Sequence, residues 1–135
     1  MEGKGLKVAS WVLAVVASVI YVITLFFKFT AAPESVRLFT RLAGPEMEGL
    51  MRVGTGVMEL ITSILLLIPK SRPFGALVSL GVISGAILSH LFVLGIVVED
   101  DGGALFLMAC IIFTCSPGLL FLHRNSFLSL LNKGT

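Results

Sequence analysis

GLMRVGTGVMELITSILLLIPKSRP, residues 49–73, decides the fold of this chain. Gly49 to Ile68 is a run of 20 residues in which only Arg52 and Glu59 are ionisable. At a rise of about 1.5 Å per residue, a helix of that length crosses the roughly 30 Å of a bilayer's hydrocarbon. The run is far too long for a strand and does not alternate. Pro69 closes it, and the next apolar run starts at Phe74, just past Pro73. The link Pro69-Lys70-Ser71-Arg72-Pro73 is short enough that the two helices it joins must be antiparallel neighbours.

Three more runs have the same character. Val8–Phe27 ends at Lys28, Phe74–Val98 has His90 as its one ionisable side chain, and Gly102–Leu122 stops at His123 and Arg124. The expected fold is an all-α integral membrane protein: one domain over residues 1–135, built as an antiparallel bundle of four transmembrane helices. Composition agrees. Hydrophobic residues make up 56% of the chain and charged residues 13%, against about 25% charged in soluble domains, and the mean hydropathy is +1.03. A net charge of +2 with no basic cluster argues against a nucleic-acid partner. The first run exceeds the roughly 7–15 residues of a secretion signal's apolar core, and Pro33 falls where cleavage would have to occur, so it reads as a retained helix.

Lys and Arg positions set the expected orientation. With four crossings both ends share one side, which collects Lys4, Lys7, Lys70, Arg72, Arg124 and Lys133. The other side holds Lys28, Arg37, Arg41 and Arg52, and its second loop has only Glu99-Asp100-Asp101. The bias predicts both termini on the cytoplasmic side, and the compact loops fit a bacterial inner membrane. Gly44-Pro45 should open the second helix, Asp101 should cap the fourth, and Pro117 should bend the fourth or end its regular part. In the outer loop, residues 28–48, Pro33–Ala43 interleaves Val36, Leu38, Phe39 and Leu42 with Arg37 and Arg41. It reads as an amphipathic interfacial segment, either a plain connector or a lid over a site. Cys110 and Cys115 are roughly 140° apart around a helix and read as small buried hydrophobes, not a dithiol. The His, Glu and Cys residues show no metal-ligand spacing, so no metal is expected.

Ionisable groups at membrane depth need a reason to be there. Counting rise from the outer ends puts Glu59 about 10 Å below Arg52, His90 about 12 Å below Val98 and Tyr21 about 10 Å below Lys28. Glu59, His90 and Tyr21 then form one polar layer, with Lys28 and Arg52 as a basic rim above it. Facing agrees with depth. Arg52, Thr55, Gly56, Glu59, Thr62 and Ser63 share one helical face, as do Ala14, Ser18, Tyr21, Leu25 and Lys28. Ser79, Ala86 and His90 share another, while Gly81, Gly85 and Ser89 form a small-residue edge suited to helix contact. Two readings stay open. Glu59 and His90 hydrogen-bond each other as interhelical glue with Tyr21 completing the set, or the layer binds the polar head of a ligand.

The first helix ends Phe26-Phe27-Lys28-Phe29, the second reads Gly54-Thr55-Gly56-Val57-Met58-Glu59-Leu60, and the third reads Phe74-Gly75-Ala76 and then Ala86 to His90-Leu91. That order resembles the DoxX-like family of four-helix membrane proteins, which includes NACHO-related members, over roughly residues 10–122. The family pattern has a Lys closing helix one, a Glu-Leu in helix two and an Ala-x-x-x-His in helix three, which carries over to Lys28, Glu59 and His90. Tyr21 and Arg52 rest on depth alone. The glycine that commonly precedes the family's Lys is absent from Thr24-Leu25-Phe26-Phe27.

The resemblance implies diverse roles, from a subunit linked to thiosulfate:quinone oxidoreduction to partners of redox-defence complexes and a receptor-assembly chaperone. Two functions follow as expectations. The first is a non-catalytic accessory protein that binds a lipid-like ligand or partner helices, with the bilayer, a membrane-protein partner or a second copy as its company. The second is a quinone-linked oxidoreductase subunit with Glu59 and His90 at the quinone head, quinone being the one cofactor in view. Four helices without an inverted repeat argue against a transporter.

Overall fold

The computed structural model describes residues 2–125 and 129. Its regular elements are α1 (Glu2–Phe29), α2 (Pro33–Ala43), α3 (Glu48–Leu67), α4 (Arg72–Ser89), a π-helical turn His90–Leu94 that continues α4, and α5 (Ala104–Leu122). No strand occurs among the described residues. Four stretches, Gly3–Phe29, Glu48–Leu67, Arg72–Leu94 and Ala104–Leu122, are long and apolar enough to cross a membrane. The chain is built as an integral membrane protein.

The four long helices form a ring in which α1 and α4 lie diagonally and each packs against both α3 and α5. Sequence explains which faces turn inward. On α1 the residues Ser10, Ala14, Ala17, Ser18, Tyr21 and Leu25 are buried, while Val12, Val15, Val19, Val22 and Phe26 stand exposed. The inner face is small and polar and the outer face is large and aliphatic. A soluble bundle has the opposite arrangement. Lipid reverses it, because lipid tails solvate Val and Phe while small residues let helices approach and hydroxyls find partners inside. α3 follows the same rule, burying Gly56, Glu59, Thr62, Ser63 and Leu66.

Two glycines set the tight crossings. A Cβ at Gly75 would stand 2.8 Å from Leu65 Cβ and 2.9 Å from the Leu65 carbonyl carbon, and a Cβ at Gly56 would stand 2.6 Å from the Phe29 ring. Gly75 thus fixes the close approach of α3 and α4 just past their proline-bracketed turn. The small-residue edge Gly81–Gly85–Ser89 does not form the helix seam expected of it. Nothing lies within 4 Å of a Cβ at Gly81 or Gly85, and both are exposed. Leu65 and Gly75 hold the helices together at one end, and they part toward the other.

At the Pro69–Pro73 end, Arg72 is only 2% exposed. Its Nε donates to the Leu66 carbonyl at 2.7 Å, its Nη1 donates to Ser10 Oγ at 2.9 Å, and its guanidinium lies 4.1 Å from the Trp11 ring centroid. Ser10 Oγ lies 2.7 Å from His123 Nε2, tying in the end of α5. Burial, and then the Arg72 charge, lowers the His123 imidazole's pKa. One arginine thus caps the carboxyl end of α3 and joins it to α1 and α5.

Several boundaries depart from expectation. The third span stops at Leu94, not Val98, because Gly95 at φ +82° takes the chain out of the helix, its N–H donating to His90 O at 2.7 Å. α5 starts at Ala104, since Gly102 and Gly103 both have positive φ. Asp101 still serves this end, accepting the N–H groups of Gly103 at 2.8 Å and of Val98 and Leu105 at 3.0 Å. Burial works to raise the Asp101 carboxyl, but those three donors, with His90 nearby, hold it below its ordinary value. Pro117 does not end α5, which runs on to Leu122. Pro33–Ala43 is a helix with Pro33 in its first turn and Arg41 in its last. Lys133 lies outside the described residues.

Candidate functional site

Tyr21, Glu59 and His90 are all buried, but their bonds are not those expected. Lys28 Nζ sits 2.8 Å from Glu59 Oε1, and both side chains are largely buried. Thr24 Oγ1 lies 2.9 Å from Glu59 Oε2 and 3.0 Å from the Tyr21 carbonyl, so its one proton is shared between them. Glu59 is therefore bound to α1 and not to His90. The cause is placement: α3 packs directly on α1, and Glu59 lies on the α3 face that meets it. Thr24 escaped the sequence reading, although it lies three residues past Tyr21 and four before Lys28, on their shared face.

His90 Nδ1 is 2.9 Å from Gly95 O. A carbonyl only accepts, so Nδ1 carries a proton, and in a neutral ring Nε2 is the acceptor. The π-helical turn brings this carbonyl within reach, and the ring packs edge-on to Phe106 at 5.5 Å between centroids. Tyr21 does not complete a Glu59–His90 pair either. Its hydroxyl is 2.8 Å from Ser79 Oγ, which is 2.7 Å from Ser116 Oγ, and Ser116 donates to Ile112 O at 2.9 Å. This chain of hydroxyls joins α1, α4 and α5 within the core.

The basic rim is also not free. Arg52 Nε donates to Glu48 Oε2 at 3.0 Å and its Nη1 donates to Lys28 O. Arg37 pairs with Glu99 and Arg41 donates to Leu94 O at 3.3 Å, pinning α2 to the segment after α4. Each cation at this end is thus committed to a carboxylate or a carbonyl.

These groups surround a cavity of about 980 Å³. Pockets that hold drug-sized molecules run about 300–1,000 Å³, so this one is large. Tyr21, Ile83, Ala109 and Ile112 line it toward the core, and Lys28, Glu59 and His90 are in its wall. Ser35, Leu38, Phe39 and Leu42, one face of α2, cover its end. Exposed Gly54 and Met58 of α3 and exposed Gly81 and Gly85 of α4 also line it, so it opens sideways where those helices part. The five residues singled out from sequence therefore divide. Tyr21, Lys28, Glu59 and His90 share the cavity, whereas Arg52 stands beside it and holds the Lys28 carbonyl.

No family model, no curated protein and no solved structure matches this chain.

Proposed function

We propose that this protein is a membrane accessory protein of DoxX-like type that takes a lipid-like ligand into the cavity between its helices. It spans the bilayer four times with both ends on the cytoplasmic side, as the Lys and Arg bias indicates. That places the cavity in the outer half of the bilayer, and the compact connections fit a bacterial inner membrane.

The carrying observation is the shape and lining of the cavity together. Its core wall is apolar, it opens sideways between α3 and α4 through Gly81 and Gly85, and the Lys28–Glu59 ion pair stands in its wall. A sideways opening faces lipid, so an amphiphile reaches the cavity without leaving the membrane. Its tail replaces lipid contacts with Ile83 and Ile112, and its head meets the polar groups. The helix α2 covers the end toward water, which supports the lid reading of that segment over the plain connector.

Mass spectrometry of small molecules extracted from protein purified in mild detergent tests this reading. Wild type should carry an enriched amphiphile, and Gly85→Phe, which puts a ring into the open space at the portal, should lose it while staying folded. Equal recovery from both would contradict the reading.

A quinone head is the second reading, supported by Lys28 as a donor to a quinone carbonyl and by Glu59 and His90 in the same wall to take protons from its reduced, hydroxyl-bearing form. Under that reading the extracted molecule is a quinone, and its absorbance changes on reduction in the presence of the partner complex.

A further inference from the structure

The ligand reading leaves open which head the cavity takes, and the charges around it bear on that choice. Building on that reading, we infer that the site selects an uncharged, hydroxyl-bearing head, such as that of a monoacylglycerol, and excludes anionic lipids. The argument is one of charge already cancelled. Lys28 is the one cation lining the cavity among the described residues, and Glu59 neutralises it at 2.8 Å. Arg52 and Arg37 are matched by Glu48 and Glu99. Three more acids line the cavity, Glu34, Glu99 and Asp101, and of these Glu34 and Asp101 have no ion-pair partner among the described residues.

An anionic head would have to shed its water in an apolar cavity, find no uncommitted cation, and lie beside the Glu59 carboxylate. Each of these disfavours it. A hydroxyl meets none of these penalties. An ammonium has three donors, and beyond its ion pair with Glu59 the Lys28 ammonium has no other contact with an acceptor among the described residues, so a donor is left for a hydroxyl oxygen. The hydroxyl's own proton goes to the Glu59 carboxylate or to His90 Nε2, both acceptors in the same wall. The Lys28–Glu59 pair thus acts as a charge filter. With Glu59 removed, the same Lys28 becomes an unmatched cation in an apolar wall, and it should attract the heads it now rejects.

Two probes that differ by one phosphate test the filter: 1-oleoylglycerol and 1-oleoylglycerol 3-phosphate, competing against tritiated 1-oleoylglycerol on protein in neutral nanodiscs at pH 7.5. Wild type should prefer the neutral probe at least tenfold. Glu59→Gln should lose that preference or reverse it, and Lys28→Gln/Glu59→Gln, neutral again, should restore it. Equal or tighter binding of the phosphate to wild type overturns the inference and leaves the ligand reading standing. Binding of neither probe to wild type overturns both. An unchanged preference in Glu59→Gln shows that the pair is not the filter.

Discussion

Glu59 carries a heavy structural demand at the cavity end of the bundle. Its carboxylate answers Lys28 and Thr24, and its backbone carbonyl accepts the Ser63 hydroxyl at 2.8 Å. Glu59→Ala and Glu59→Gln both leave Lys28 without its counter-charge, but Gln still offers an amide oxygen to the ammonium and Ala offers nothing. Glu59→Ala should therefore lower the apparent melting temperature in detergent beyond Glu59→Gln, by about 1–3 kcal/mol, the usual effect of leaving a buried donor unsatisfied, and Lys28→Met should partly rescue the alanine variant. Equal, small shifts for both Glu59 variants would show that the pair contributes nothing to stability. Rise per residue and helix facing put Glu59, Tyr21 and His90 in one layer with Lys28 in a rim above it, and all four line one cavity. One of the two readings of the sequence paired Glu59 with His90, and that pair does not form, since depth does not say which neighbouring helix a side chain on α3 faces. The Arg72 site was hidden for a related reason. In the sequence Arg72 is a loop charge next to Lys70, and only the folded ring brings Ser10, Trp11 and Leu66 around it.

The elements show where regular pattern suffices and where contact decides. All four long helices were legible as apolar runs, and α2 was legible as an amphipathic stretch, because hydropathy and helical period are local properties. The end of α4 was not. His90–Leu94 widens to a π-helical turn and Gly95 breaks away, although the apolar run continues to Val98. Glycine edges were equally ambiguous, since the same small-residue spacing serves a tight seam or an open wall. The structure separates the two cases on one helix. Gly75→Ala meets Leu65 backbone at 2.9 Å and should destabilise by about 1–3 kcal/mol, the usual effect of overpacking. Gly81→Ala, with open space before it, should be neutral or slightly stabilising, as expected for glycine replaced inside a helix. Thermal unfolding of the two variants side by side checks this. A loss at position 81 as large as at position 75 would mean that α3 and α4 do not part.

At the scale of the molecule, the two ends of the bundle are built differently. The Pro69–Pro73 end is closed by Arg72, Ser10 and His123, with the tight crossing at Gly75 above it. The opposite end is loose, with a large cavity, α2 laid across it, and positive φ at Glu99, Asp100, Gly102 and Gly103 in the adjoining segment. A closed base supports an open half, so occupancy of the cavity need not cost the fold. The most direct measurement is photolabelling in bilayers with a monoacylglycerol carrying a diazirine near the end of its tail, the labelled positions being read by peptide mass spectrometry. Ile83, Met108 and Ile112 all line the cavity, so a tail seated there brings the diazirine to that wall. The account predicts label on Ile83, Met108 or Ile112 in wild type and its loss in Gly85→Phe. Label confined to outward residues such as Val19 and Leu107 in both proteins would contradict it.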